Sequence, residues 1–118
     1  MGVTGIGGLF FRSGDSEARA AWYREHLGIE AGSDRVWQQQ SGPTVFAPFD
    51  VASDYFAESQ PFMLNLRVEG LNEMVAKLES AGIVVERRPE WEASKYGAFA
   101  RISDPEGLPI ELWEPPTA

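Results

Sequence analysis

The sequence predicts an α+β fold made of two βαβββ modules, whose curved mixed sheets surround a shared cleft. Three observations predict it. The first is an internal repeat: residues 8–30 read GLFFRSGDSEARAAWYREHLGIE and residues 62–86 read FMLNLRVEGLNEMVAKLESAGIVVE. Each carries an apolar run ending in Arg (Arg12, Arg67), a short turn, a helical stretch, and a closing Gly (Gly28, Gly82) followed by Ile and then Glu. The arginines lie 55 residues apart and the glycines 54, close to half of the 118-residue chain, so one supersecondary unit is used twice. The second observation is that strand-like runs follow each helix. The third is size: a half this small leaves one face of its sheet uncovered, and two such units can curl around a common cleft.

The elements follow in order. Asp15 or Ser16 caps the first helix. Ala18, Ala21 and Trp22 recur at helical spacing and are expected on its buried face. Gly28 supplies the left-handed residue that stops it. Strands are expected at 35–40 and 44–48, divided by the turn Ser41-Gly42-Pro43. The polar, irregular segment 50–60 links module 5–49 to module 61–114. In the second helix Met74, Val75, Leu78 and Ala81 mark the buried face, and Gly82 ends it. Strands are then expected at 83–87, 97–103 and 109–113, the last two joined by the hairpin turn Asp104-Pro105-Glu106-Gly107.

Composition narrows the function. Apolar residues form 43% and charged residues 24%, a globular balance rather than a disordered one. With no cysteine, disulfides, thiolate chemistry and thiolate metal sites are excluded. A net charge of −8 disfavours nucleic acid and anionic membrane as partners. No apolar run approaches the ~18 residues of a membrane span. The start MGVTGIGGLFF lacks a basic n-region, so a cytoplasmic protein is expected.

Two motifs carry a resemblance. Trp22-Tyr23-Arg24-Glu25-His26-Leu27-Gly28 and Asp104-Pro105-Glu106-Gly107-Leu108-Pro109-Ile110-Glu111-Leu112-Trp113-Glu114 are spaced around the repeat. In these the chain resembles the vicinal oxygen chelate superfamily, which includes glyoxalase I, bleomycin-resistance proteins, extradiol dioxygenases and fosfomycin-resistance enzymes. The resemblance spans essentially the whole chain and implies the glyoxalase-like fold and a homodimer. It also implies where a divalent metal is held in the metal-dependent members. Glu111 matches the ligand of the last strand. Gly8 stands at the first-strand position, Met63 opens the second module, and 44–48 offers no carboxylate, His or Gln. Glycine has no side chain and a thioether is a poor ligand for hard cations. No metal or other cofactor is therefore expected, a divalent metal being the alternative.

The candidate site residues are read one at a time. Glu111 faces opposite to Ile110 and Leu112 within the last strand, which suits a cavity carboxylate acting as base or as anchor for a cationic group. The alternative is a carboxylate paired with Arg101, itself a candidate ligand contact. Asn65 interrupts an apolar run and shares a face with Met63 and Arg67. Phe10, Trp37 and Gln39 suit an aromatic-floored pocket with an amide, or plain core. Trp91 and Tyr96 lie in the loop before the last hairpin, where the Tyr96 hydroxyl is placed to serve catalysis with Glu111. His26, the single histidine, is read as structural, and no catalytic triad is constructible from it. The GIGG stretch at Gly5, Gly7 and Gly8 lacks the lysine and spacing of a phosphate loop.

The expected function is small-molecule binding in the inter-sheet cleft without the usual metal, with a cationic, partly aromatic ligand suggested by the acidic chain. The alternatives are a metal-dependent lyase or isomerase of glyoxalase I type, an acid–base catalyst using Glu111 and Tyr96, and a non-catalytic dimeric module.

Overall fold

The computed structural model describes residues 1–92 and 94–117. Two α-helices and three β-strands form an α+β fold: α1 (Ser16–Leu27), β1 (Leu64–Arg67), α2 (Leu71–Ser80), β2 (Ala98–Ser103) and β3 (Pro109–Glu114). A 3-10 turn spans Pro89–Trp91. The strands form a mixed sheet in the order β1-β3-β2, with β1 parallel and β2 antiparallel to β3. No helix among the described residues is long and apolar enough to cross a membrane.

Strand alternation places Ala100, Ile102, Ile110 and Leu112 on one face, all buried. Leu71, Val75 and Leu78 of α2 and Tyr23 of α1 pack against them. Met74 is only partly buried and Ala81 is exposed, so the apolar stripe of α2 is narrower than its spacing suggests. On α1 the difference is larger. Asp15 caps it, accepting from the Ala18 N–H, and Gly28 ends it in the left-handed region. Its buried residues, however, are Arg19 and Tyr23, while Ala18 and Ala21 are exposed and Trp22 is half-buried.

The reason is Asp104. Its Oδ2 accepts from Arg19 Nε at 2.7 Å and from the Tyr23 hydroxyl at 2.7 Å, and Arg19 Nη2 lies 2.7 Å away. Its Oδ1 accepts from the backbone N–H groups of Glu106 and Leu108. One carboxylate thus closes the β2–β3 turn and fastens α1 to it. Glu106 completes the junction, accepting from the Ser13 hydroxyl and the Gly14 N–H. These two bonds, the first foremost, hold its carboxyl below the usual carboxylate range.

The strands expected at 35–40 and 44–48 are not formed, and the run before α1 has no strand either. A hairpin in water needs a third strand or a packing face to persist. Here Val36, Val45 and Phe46 are exposed. The carbonyls of Gln40 and Pro43 accept from the Arg67 guanidinium instead of from a neighbouring strand. The segment 83–87 is likewise reduced to a single bridge, Glu86 with Arg101.

Gly97 opens β2 at φ +111°, and a Cβ there would stand 2.2 Å from the Glu114 carbonyl oxygen. Both the conformation and the contact require glycine. Gly97→Ala is expected to lower the unfolding free energy by about 3 kcal/mol or more in urea titration. A loss below about 1 kcal/mol contradicts this placement.

Candidate functional site

The face of the sheet away from the helices carries polar and aromatic side chains. The register puts Asn65, Glu111 and Arg101 in one row across the three strands, and Arg67, Trp113 and Phe99 in the next. Glu111 occupies the central strand and is buried. Burying a carboxylate requires hydrogen-bond donors. Its Oε1 accepts from Asn65 Nδ2 at 2.6 Å, and its Oε2 accepts from the Tyr55 hydroxyl. Tyr55 also meets Arg101: its backbone carbonyl accepts from Nη1 at 2.9 Å, and its ring centroid lies 4.8 Å from the guanidinium carbon. The Trp91 ring lies 5.3 Å from the same carbon. In the adjacent row Trp113 and Phe99 stack at 6.4 Å.

The structure therefore brings together Glu111, Asn65, Arg101 and Trp91. It does not bring Tyr96 to Glu111. Tyr96 is 63% exposed, with the Lys95 ammonium 5.1 Å from its ring, and it reaches the site only by its carbonyl, which accepts from the Trp113 indole N–H. Phe10, Trp37 and Gln39 are exposed and lie outside the cluster. Ala93, within the loop 89–97, lies outside the described residues. Arg101 makes no ion pair with Glu111, whose partners are Tyr55 and Asn65. His26 packs on Trp22 on α1, away from this face.

Tyr55 is the residue that sequence reading missed. It lies in the 50–60 stretch, read as a linker. The available signal was aromatic: Phe49, Tyr55 and Phe56 stand together in an otherwise polar segment, and Phe49 packs on both others.

Burial first, and the bond to Glu111 second, push the Tyr55 phenol up to about 12 from its ordinary 10.0. Tyr23 is raised further, by burial and then by Asp104. A phenol raised in the folded state keeps its proton where the unfolded chain has lost it, so folding is favoured below pH 10 and loses that stabilisation as pH rises. Stability is expected to fall steadily between about pH 10 and pH 12, measured as the urea midpoint. Tyr55→Phe is expected to flatten part of that slope, and an unchanged slope contradicts the contact with Glu111.

A family profile for the glyoxalase-like domain matches residues 8–113. The chain belongs to the glyoxalase-like domain family. Among curated proteins none matches. Among solved structures, the fold is similar to the crystal structure of TnmS3, an antibiotic binding protein from Streptomyces sp. CB03234. The TM-score is 0.65 with 23% identity, over 98% of this chain and 99% of that one.

This glyoxalase-like chain has donors where a metal centre needs acceptors. The Asn65 amide and the Tyr55 hydroxyl both donate to Glu111, and the Arg101 cation shares its row. No group of three or more His, Cys, Asp or Glu able to hold a metal ion occurs among the described residues. These residues do not fit the divalent cation of the metal-dependent relatives.

Proposed function

We propose that this glyoxalase-like protein binds a small organic molecule on the face of its sheet away from the helices and holds it without a resident metal. The observation that carries this reading is the row Asn65–Glu111–Arg101, flanked by Trp91, Phe99 and Trp113. A few converging polar groups within aromatic walls are what a ligand site needs. Glu111 is committed to neutral donors, which suits fixing a binding surface more than capturing a cation. The likeness to an antibiotic binding protein makes antibiotics the first compounds to try, and the flanking rings of Trp91, Phe99 and Trp113 favour aromatic ones. No residue is assigned to bond making or breaking.

The protein acts as a homodimer in the cytoplasm on this reading. Support for the dimer comes from surface. The chain exposes 8835 Å², whereas a compact monomer of this mass exposes about 6,400 Å². Most of the exposed large apolar residues lie in the first half, among them Ile6, Phe10, Val36, Val45, Phe46 and Val51. An excess of about 2,400 Å² matches what extensive subunit interfaces bury. Sedimentation equilibrium is expected to give twice the 13.1 kDa chain mass. A monomer at micromolar concentration contradicts this part.

The test of binding is a thermal-shift and calorimetric screen of aromatic antibiotics and related acids, bases and neutral compounds, with and without chelator. A saturable, chelator-insensitive ligand at one site per chain is expected. Failure of every compound contradicts the reading. About one metal retained per chain, with binding abolished by chelation, favours the glyoxalase-type lyase or isomerase instead.

A further inference from the structure

Arg101 is the unresolved element of this face. Its Nη1 is used by the Tyr55 carbonyl, but Nε and Nη2 are buried with no hydrogen-bond partner among the described residues. Unmet donors on a buried cation are costly and are expected to find an acceptor. Nε and Nη2 lie side by side on one edge of the guanidinium and form the fork that matches the two oxygens of a carboxylate. The chain uses the same edge twice elsewhere. Arg19 presents Nε and Nη2 to one oxygen of Asp104, and Arg88 presents Nε and Nη2 to one oxygen of Glu86. Both carboxylates that neighbour Arg101 in the register are already engaged, Glu111 by Asn65 and Tyr55 and Glu86 by Arg88.

We propose that Arg101 anchors the ligand of this face by its carboxylate, taken on the Nε–Nη2 edge, and that the ligand is a planar aromatic acid. This deepens the reading above and rests on it. The aromatic part follows from Trp91, whose ring lies 5.3 Å from the guanidinium carbon. It reverses the charge expected from composition, because the group left without a partner on this face is a cation, whatever the net charge of the whole chain.

On this proposal a ligand reaches the edge by displacing Tyr55, which lies against the same guanidinium. The segment 50–61 has no helix or strand. Among the described residues its hydrogen bonds to the sheet are the two made by Tyr55, one to Glu111 and one from Arg101. Withdrawing Tyr55 breaks two hydrogen bonds, and a carboxylate on the Arg101 fork makes two in return.

The test is isothermal titration of the full chain with naphthalene-2-carboxylate and with its neutral isostere, naphthalene-2-carboxamide. The carboxylate is expected to bind about tenfold tighter or more. Arg101→Lys, which keeps the charge and loses the fork, is expected to lose most of that preference, and Arg101→Gln all of it. Equal binding of the two probes overturns the carboxylate assignment while leaving the ligand face intact. A preference that survives in Arg101→Gln overturns the role of Arg101. If neither probe binds, this inference falls, and the broader screen alone decides whether the face binds anything. The comparison of probes on the unsubstituted chain stands even if a variant fails to fold.

Discussion

Replacing Asp104 with alanine is expected to lower the unfolding free energy by about 3–5 kcal/mol, the range for breaking a buried ion pair. The Asp104 side chain is fully buried and the Arg19 side chain is 8% exposed, so removing the carboxylate leaves Arg19 only the 3.4 Å contact to Glu106 and the Arg12 carbonyl, and leaves the Tyr23 phenol without its acceptor. The same change removes the acceptor that closes the β2–β3 turn. Asp104→Asn separates the two roles. Asparagine still accepts from the turn, but it offers an amide donor toward Arg19 or Tyr23, where an acceptor is needed. It is expected to lose nearly as much as alanine, because the ion pair outweighs the turn. Urea unfolding followed by tryptophan fluorescence measures both. A loss below about 1 kcal/mol for either variant contradicts the view that this carboxylate fastens α1 to the sheet.

Glu111→Gln is expected to have the second large effect, on stability and on binding. The glutamine oxygen can stand where only one of the two glutamate oxygens stood, while its amide turns a donor toward the other partner. Either Asn65 or Tyr55 then loses its acceptor, a cost of about 1–3 kcal/mol. Binding moves in a direction that tells the ligand's sign. Removing a negative charge from the row beside Arg101 is expected to tighten binding of an aromatic carboxylate several-fold, by lifting like-charge repulsion. Weakened binding of the carboxylate, or loss of binding by a cationic ligand, contradicts the anionic assignment. The phenol of Tyr55 is expected to titrate lower in this variant, since the Glu111 carboxylate, which adds to the effect of burial, is gone.

Local chemistry made part of this legible in the sequence. The Asp15 cap, the Gly28 stop and the hairpin around Asp104-Pro105-Glu106-Gly107 each depend on neighbours within a few residues, and all three are present. Alternation alone put Glu111 opposite Ile110 and Leu112, and Asn65 opposite Leu64 and Leu66. That these two residues meet, with Arg101 beyond, depends on strand register, which pattern alone does not supply. The burial of Tyr23 was legible from its place in the aromatic motif of α1, but Arg19 was illegible for a similar reason: its partner Asp104 is 85 residues away, and an arginine reads as exposed until its counter-charge is known. Tyr55 was hidden by its polar surroundings. The strands read at 35–40 and 44–48 show the opposite failure. Their β-propensity is real, but propensity becomes a strand only against a partner. Here Arg67 takes the carbonyls that a partner strand would have used.

Ligand binding on the Asn65–Glu111–Arg101 face, as proposed, is open to direct observation. The most direct measurement is an amide and indole NMR titration of the protein with a ligand from the screen. Saturable shifts are expected at Tyr55, Asn65, Trp91, Arg101 and Glu111, with the helix face around Leu71, Val75 and Leu78 unmoved. Shifts centred on the helix face or on the exposed first-half segments, with the Asn65–Glu111–Arg101 row silent, would contradict it.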